Sequence, residues 1–405
     1  MKLTNTVLGM LGSRFLRRPF YARVHLSYRC NYRCRMCGIE GIRRQFDELG
    51  TEALAQVAQR LRAIGARHAV LTGGEPFLRR DLAAVVRAFA RSGFSIRIQT
   101  NGGPQVTRER IAEVARAGAS DLSVSVDTLD SSLQDRICEG REALFHARRT
   151  LQLASELMPS GMSLANIVAS PHNFRELPAL VRHFGASGIY TYITPAAVIG
   201  DGETRGGDYL FRGRDESFSF TDIEPATRDA VIDELVALRR QGFGLTNSTR
   251  HLRDFQRFLA TGRSAWACAS GTFALDVRPD GSVSACKEKP PVGNVLDPSF
   301  ATFYHSPRFR EAADAQARSC RGCFYGEYRE PAYAIRHGAV LREWVVDWVR
   351  MFRKGMGWRG RAPLPLPPPA GREAQGADPL ASPSAAAPAT RAASCSAPFP
   401  PAPAS

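Results

Sequence analysis

The sequence predicts an α/β fold built on a parallel sheet, and three observations carry that prediction. From Arg23 to about Ile193, short β-rich apolar runs alternate with longer amphipathic runs. Glycine stands just past the end of several amphipathic runs, where a left-handed residue stops a helix. The alternation holds for six units, which implies right-handed crossovers and strands that all run the same way. Such units form either an open sheet or an incomplete barrel.

The β runs are "VHLSY" (Val24 to Tyr28), "AVLTGG" from Ala69, "SIRIQT" from Ser95, "DLSVSVD" from Asp121, "SLANIVA" from Ser163 and "GIYTYI" from Gly188. Between them, "TEALAQVAQRLRAIGA" and "RDLAAVVRAFARSG" space apolar residues three and four apart, which lays them on one helical face. Reactive groups are expected at the carboxyl ends of the strands, where the βα loops converge. A Gly-, Asp- and Arg-rich stretch from Pro195 to about Phe220 is too long for a connector and reads as a lid or substrate loop. Two further helical patterns, "PATRDAVIDELVALRRQG" and "TRHLRDFQRFLATG", precede a second, smaller unit. There "TFALDVRPDGSVSACK" sets Pro279-Asp280-Gly281 between two alternating runs, a hairpin signal.

A chain of 405 residues can bury a sizeable core. Its formal charge of +15 favours anionic partners, but Arg-rich composition produces such a charge by itself, so nucleic acid is not the expected partner. No apolar stretch approaches the roughly 20 residues that span a bilayer. The basic N-terminus lacks the apolar core and cleavage site of a secretory signal. The expected compartment is the cytoplasm, where clustered cysteines bind metal more often than they pair.

The stretch "RCNYRCRMCGIE" places Cys30, Cys34 and Cys37 just after the first β run. Their neighbours Asn31, Arg33 and Arg35 are polar, so these thiols belong to a loop rather than a core strand. Structural zinc takes four ligands, and no His or Cys follows closely; Cys138 could supply a distant fourth. A cubic four-iron cluster on three thiolates would instead leave one iron open to react. One βα unit later, "TGGEP" (Thr72 to Pro76) ends the second run. Its glycines let the backbone approach a ligand closely, and Glu75 offers an acceptor for an ammonium group.

With C-x3-C-x2-C closing one strand and GGEP the next, the chain resembles the radical S-adenosylmethionine enzymes over roughly residues 22 to 330. The resemblance implies a partial (βα)6 TIM-like barrel with a 4Fe-4S cluster on Cys30, Cys34 and Cys37. The cluster's open iron would chelate S-adenosylmethionine and cleave it reductively to a 5′-deoxyadenosyl radical, which abstracts hydrogen from a substrate. It also implies that Gly73, Gly74, Glu75 and Pro76 bind the amino group and that Met36 lies near the adenine. Thr100, Asn101, Ser125 and Asp127 would meet the ribose or the methionine carboxylate, Ser125 foremost. Many relatives carry an Arg-Gly pair after the fourth strand. Here "DRICEGRE" leaves Arg136 and Arg141 as alternatives, with Cys138 read as structural.

Cys268, Cys286, Cys320 and Cys323 form a second set, C-x17-C and then C-x2-C, which suits zinc or an iron–sulfur cube. The surrounding text resembles the auxiliary-cluster region of the SPASM and twitch branches, and four cysteines match the shorter twitch type. That implies one auxiliary 4Fe-4S cluster that accepts an electron, for a net dehydrogenation of a small molecule, sugar or lipid-linked group. The electron donor would be a flavodoxin or ferredoxin. The runner-up is maturation of a ribosomal peptide. A rival from another class is a zinc-stabilised, non-enzymatic protein that binds nucleic acid or a partner; it leaves TGGEP unexplained.

The expected organisation is a basic extension (1–21), the barrel (22–220), connecting helices (221–262), the twitch-like region (263–330), a basic amphipathic helix (331–362) and a disordered Pro/Ala-rich tail (363–405). The amphipathic helix contains Trp344, Trp348 and Trp358 among arginines. It either packs across the barrel or lies in a membrane interface, with "LGMLGSRFLRRPF" as a second contact. A peripheral position at the inner face of a membrane is therefore a further expectation. His172 and Cys395 are read as incidental.

Overall fold

The computed structural model describes residues 3–42, 46–158, 163–197, 213, 215–220, 223–262, 268, 270–318 and 324–353. The expected disordered tail, Trp358, Cys320, Cys323, Cys395 and most of the expected lid lie outside the described residues. The residues read as a basic extension form a helix, α1 (Leu3–Leu16). The repeating unit then appears as β1 (Tyr21–His25), α2 (Thr51–Ala63), β2 (His68–Thr72), α3 (Leu82–Arg91), β3 (Ser95–Thr100), α4 (Arg108–Ala117) and β4 (Asp121–Ser125). It continues through α5 (Ser131–Cys138), α6 (Ala143–Leu157), β5 (Ser163–Ala169), α7 (Leu177–Ala186) and β6 (Tyr190–Pro195). β1 through β6 pair in sequence and all run parallel, as alternating strands and helices require.

The next helices are α8 (Pro225–Gln241) and α9 (Thr249–Thr261). β7 (Ala274–Val277) and β8 (Ser282–Ser284) then form the expected antiparallel hairpin, to which β9 (Gly293–Asn294) adds. The hairpin belongs to the same sheet as the barrel strands, because β7 lies parallel to β1 with Tyr21 opposite Ala274. The sheet order is β6-β5-β4-β3-β2-β1-β7-β8-β9. The remaining helices are α10 (Phe300–His305), α11 (Pro307–Arg318), α12 (Gly326–Arg336) and α13 (Gly338–Arg353).

Side-chain alternation gives the sheet two unlike faces. Ala22, Val24, Ala69, Leu71, Ile96 and Ile98 are buried in the core that α2, α3 and α4 cover with residues such as Leu61, Val86 and Val114. Each large aliphatic side chain so buried contributes roughly 1.5–3 kcal/mol. The alternate residues face inward, and toward the carboxyl ends each barrel strand contributes a polar one, His25, Thr72, Gln99, Ser125, Asn166 and Thr194, with Val168 following Asn166 on β5. This polar end is where the cysteine loop leaves β1.

Candidate active site

The backbone after β1 runs alongside the backbone after β2. Leu26 N donates to Thr72 O at 2.8 Å, Gly74 N to Ser27 O at 2.7 Å and Glu75 N to Arg29 O at 2.8 Å. A Cβ on Gly73 would stand 2.0 Å from Ser27 O, and one on Gly74 would stand 2.1 Å from Arg29 O. Gly73 also has φ +137°, which side chains disfavour. The close approach expected toward a ligand is thus made toward the segment that leads into Cys30.

Glu75 is fully buried and tied to β3. Its Oε1 accepts from Phe77 N at 2.9 Å and Thr100 Oγ1 at 2.8 Å, while Oε2 accepts from Asn101 N at 2.7 Å. Burial pushes the carboxyl up to about 7, although these donors favour its ionised form. Thr100 therefore acts on Glu75, whereas the Asn101 amide reaches the cysteine loop. Asn101 Nδ2 donates to Asn31 Oδ1 at 2.9 Å and lies 3.6 Å from Cys30 Sγ. Pro76 is buried at the start of the short helical turn Pro76–Leu78.

The end of α5 closes the other side of the loop. Arg33 N donates to Cys138 O at 3.1 Å and Arg35 N to Ile137 O at 3.0 Å, which satisfies carbonyls that the helix end leaves open. Tyr32, Ile137, Cys138 and Phe218 pack together, with Cys30, Cys34 and Met36 against them. A contact with Cys138, and then burial, holds the Cys34 thiol well above its usual range. Burial pushes Cys30 up to about 11. Cys37 is exposed.

The expected lid returns to this loop. Arg35 Nε meets Asp215 Oδ2 at 2.7 Å, and a Cβ on Gly213 would stand 2.4 Å from Met36 O. His172, read as incidental, fastens the same segment: Nε2 lies 3.2 Å from Ser217 Oγ and the ring packs on Phe218 at 4.9 Å.

Ser125 ends β4 on the inner face, half-buried. Asp127 is only 2% exposed, and its Oδ1 accepts from Val168 N at 2.7 Å, joining the β4 and β5 ends. Burial raises its carboxyl to about 7. Asn173 Nδ2 secures the same junction through Asp127 O at 2.7 Å and Val168 O at 2.9 Å. Arg136 is half-buried on α5 and Arg141 is exposed. Sequence reasoning missed Gln134, Asn173 and Asp215. Gln134 stands one helical turn before Cys138 and was open to discovery; the other two carry no local signal.

In the auxiliary region, Cys286 follows β8 and packs against a cluster that includes Phe20, Tyr21 and Tyr325, against which Val70 on the inner face of β2 also packs. Cys268 Sγ lies 3.1 Å from Ser270 Oγ. Asp276 joins the hairpin to the barrel: Tyr328 Oη donates to its Oδ2 at 2.5 Å, and His25 Nε2 lies 3.4 Å from its Oδ1. Burial lowers the His25 pKa despite that carboxylate.

A cube takes one thiolate per iron, and three thiols on one loop, with an amide beside Cys30 and a thiol beside Cys34, would serve three of its irons.

Residues 24–184 match the model of the radical SAM superfamily, and residues 268–324 match that of an iron-sulfur cluster-binding domain. The GTP 3',8-cyclase of Marinobacter nauticus is 31% identical over 176 residues, which cover 42% of this chain and 52% of that protein. The GTP 3',8-cyclase of Rhodopseudomonas palustris is 30% identical over 224 residues, 51% of this chain and 63% of that protein. The chain thus spans about half the length of such relatives. Among solved structures, Streptococcus suis SuiB bound to its precursor peptide SuiA superposes with a TM-score of 0.58 at 13% identity, covering 79% of this chain and 75% of that one. For anSMEcpe with bound AdoMet the TM-score is 0.54 at 14% identity, covering 80% and 98%. At such identities these structures support the partial barrel fold alone. Residues 24–184 thus form a radical SAM domain and residues 268–324 an iron–sulfur cluster-binding domain, which together imply S-adenosylmethionine, the 4Fe-4S cluster that binds it, and auxiliary iron–sulfur as cofactors.

Proposed function

We propose that this chain is an oxidoreductase that abstracts hydrogen from a small polar molecule, sugar or lipid-linked group and completes a dehydrogenation. When bound, the first cluster and S-adenosylmethionine supply a 5′-deoxyadenosyl radical, and the auxiliary cluster supplies an electron acceptor. Cys30, Cys34 and Cys37 would hold the first cluster; Cys268, Cys286, Cys320 and Cys323 would hold the auxiliary one. Gly73, Gly74, Glu75, Pro76, Met36, Asn101 and Ser125 would form the S-adenosylmethionine pocket, while Thr100 and Asp127 position it through Glu75 and β5. The partners would be a reducing flavodoxin or ferredoxin and, peripherally, the inner face of a membrane.

The observation that carries this reading is the backbone zipper between Ser27–Arg29 and Gly74–Glu75, which fixes the cysteine loop and the GGEP turn as one unit. The electron-acceptor role is supported by Cys286, which packs against the same aromatic cluster as Val70 of β2. The polar inner residues favour a polar substrate over an aliphatic one.

Iron, sulfide and zinc content of anaerobically purified protein tests the reading. About eight irons should fall to about four in a Cys30→Ala, Cys34→Ala, Cys37→Ala variant. Zinc without iron, even after reconstitution, would overturn it. With a candidate substrate, a product two hydrogens lighter supports dehydrogenation; an isomeric product or a crosslinked peptide would replace it.

A further inference from the structure

Every large apolar side chain that stands exposed among the described residues lies on α1 or α13. On α1 these are Leu8, Leu11, Phe15 and Leu16, with Phe15 69% exposed. On α13 they include Leu341, Val345 and Val349. A surface helix of a soluble domain ordinarily buries its apolar stripe and shows water its polar one. These two do the reverse.

α1 docks through small and polar residues. Asn5 Nδ2 donates to Gly93 O at 3.0 Å, Arg67 O at 3.3 Å and Ser95 Oγ at 3.2 Å. Gly9 lies so close that a Cβ would stand 3.1 Å from the Phe20 ring. α13 turns its acids inward: Glu343 and Asp347 meet Arg239 at 3.0 and 2.8 Å. Met10 of α1 and Trp344 of α13 pack on the same aromatic cluster, and Met10 also packs on the cluster that includes Val340 of α13.

Charge identifies the occupant. α1 contains no acidic residue and is followed by exposed Arg17 and Arg18. The outward face of α13 contributes Arg342. No helix among the described residues is long and apolar enough to cross a membrane. Apolar side chains flanked by exposed arginines, with the acids of α13 paired to Arg239, on helices too short to span, suit the interface of an anionic bilayer. We propose that α1 and α13 together form a membrane-docking surface, with their apolar side chains at the acyl boundary and their arginines on lipid phosphates.

The test is co-sedimentation of the full-length holoprotein with vesicles of phosphatidylcholine alone or mixed with phosphatidylglycerol. Binding should appear with the anionic vesicles and weaken with salt. Arg18→Glu with Arg342→Glu should weaken it roughly tenfold or more. Phe15→Glu with Val345→Glu should abolish it. All four positions are exposed, so circular dichroism and iron content should match the parent and show that folding is intact. Failure of the parent to bind anionic vesicles, or variants that bind equally well, would overturn the proposal. A dimer that Phe15→Glu dissociates, without vesicle binding, would assign the face to a second copy and overturn it too.

Discussion

Gln134 Nε2 lies 3.2 Å from Cys138 Sγ, while Oε1 of the same amide accepts from Asp127 N at 2.9 Å and Thr128 N at 3.2 Å. Two backbone donors on Oε1 fix which way the amide faces, so the Cys138 sulfur accepts from it, and once Cys34 is a thiolate the adjacent Cys138 S–H is available to donate to it. With Cys34 holding the cluster as proposed, Cys138 is a positioning residue that donates to a ligand sulfur. Hydrogen bonds to sulfur favour the reduced cluster. Cys138→Ala should therefore shift the midpoint potential negative, and Cys138→Ser should restore part of the shift. Leaving Gln134 without its acceptor should also cost about 1–3 kcal/mol of stability. Redox titration followed by electron paramagnetic resonance decides the matter, since equal potentials in all three proteins would remove the role.

Gly74→Ala should disable the site from within the backbone. The added methyl meets Arg29 O, which the Glu75 N–H already holds in place. Overpacking of this kind costs about 3 kcal/mol, and bound iron should fall with it. Gly338→Ala, with no atom within 4 Å of the new carbon, is the matched control and should leave stability within about 0.5 kcal/mol. Equal iron content in the two variants would contradict the zipper.

Asp127→Asn should gain stability relative to the parent as pH rises. Burial raises the folded carboxyl to about 7, above the 3.8 of an unburied aspartate, so the folded state holds its proton more tightly. That stability is fully present below about pH 3.8 and is lost as pH climbs through 7. Asparagine keeps an acceptor for Val168 N but never ionises. The difference between the two proteins should therefore widen up to pH 7, to at most about 4 kcal/mol. Urea melts at pH 5 and pH 8 measure it; a constant difference would show that Asp127 does not titrate in this way.

Arg239→Met should release α13. The guanidinium bridges Glu343 and Asp347 and also donates to Leu245 O. Removing it strands two carboxylates and should cost about 3 kcal/mol, the low end for a buried pair because both keep about a quarter of their surface exposed. Hydrogen exchange across 338–353 should speed up while the β3 and β4 amides stay protected. Unchanged exchange in α13 would show that its apolar contacts suffice.

Much of this was legible in the sequence because it is local. The six parallel strands follow from alternation, and Pro279-Asp280-Gly281 announces the hairpin between β7 and β8. The cysteine loop and GGEP are visible because their spacing is short. Three things were hidden for physical reasons. The β1–β7 pairing joins distant segments that carry no matching pattern. Thr100 looked like a ligand contact, yet its hydroxyl is engaged by Glu75, which only the fold brings near. The reversed faces of α1 and α13 are invisible to periodicity, which reports that a helix has two faces but not which one is buried.

The pairing of Tyr21 with Ala274 also sets an order of assembly. β1, the strand that launches the cysteine loop, has one neighbour within reach early in synthesis, while the other arrives about 250 residues later. Until then its outer edge offers unpaired backbone groups to any passing strand. Contacts of such long sequence separation form slowly, after their loop-closure entropy has been met. The platform for the first cluster is therefore completed only by a strand made after all the barrel strands, which ties maturation of the iron site to synthesis through β7 and leaves products truncated before it with an open seam beside three reactive thiols.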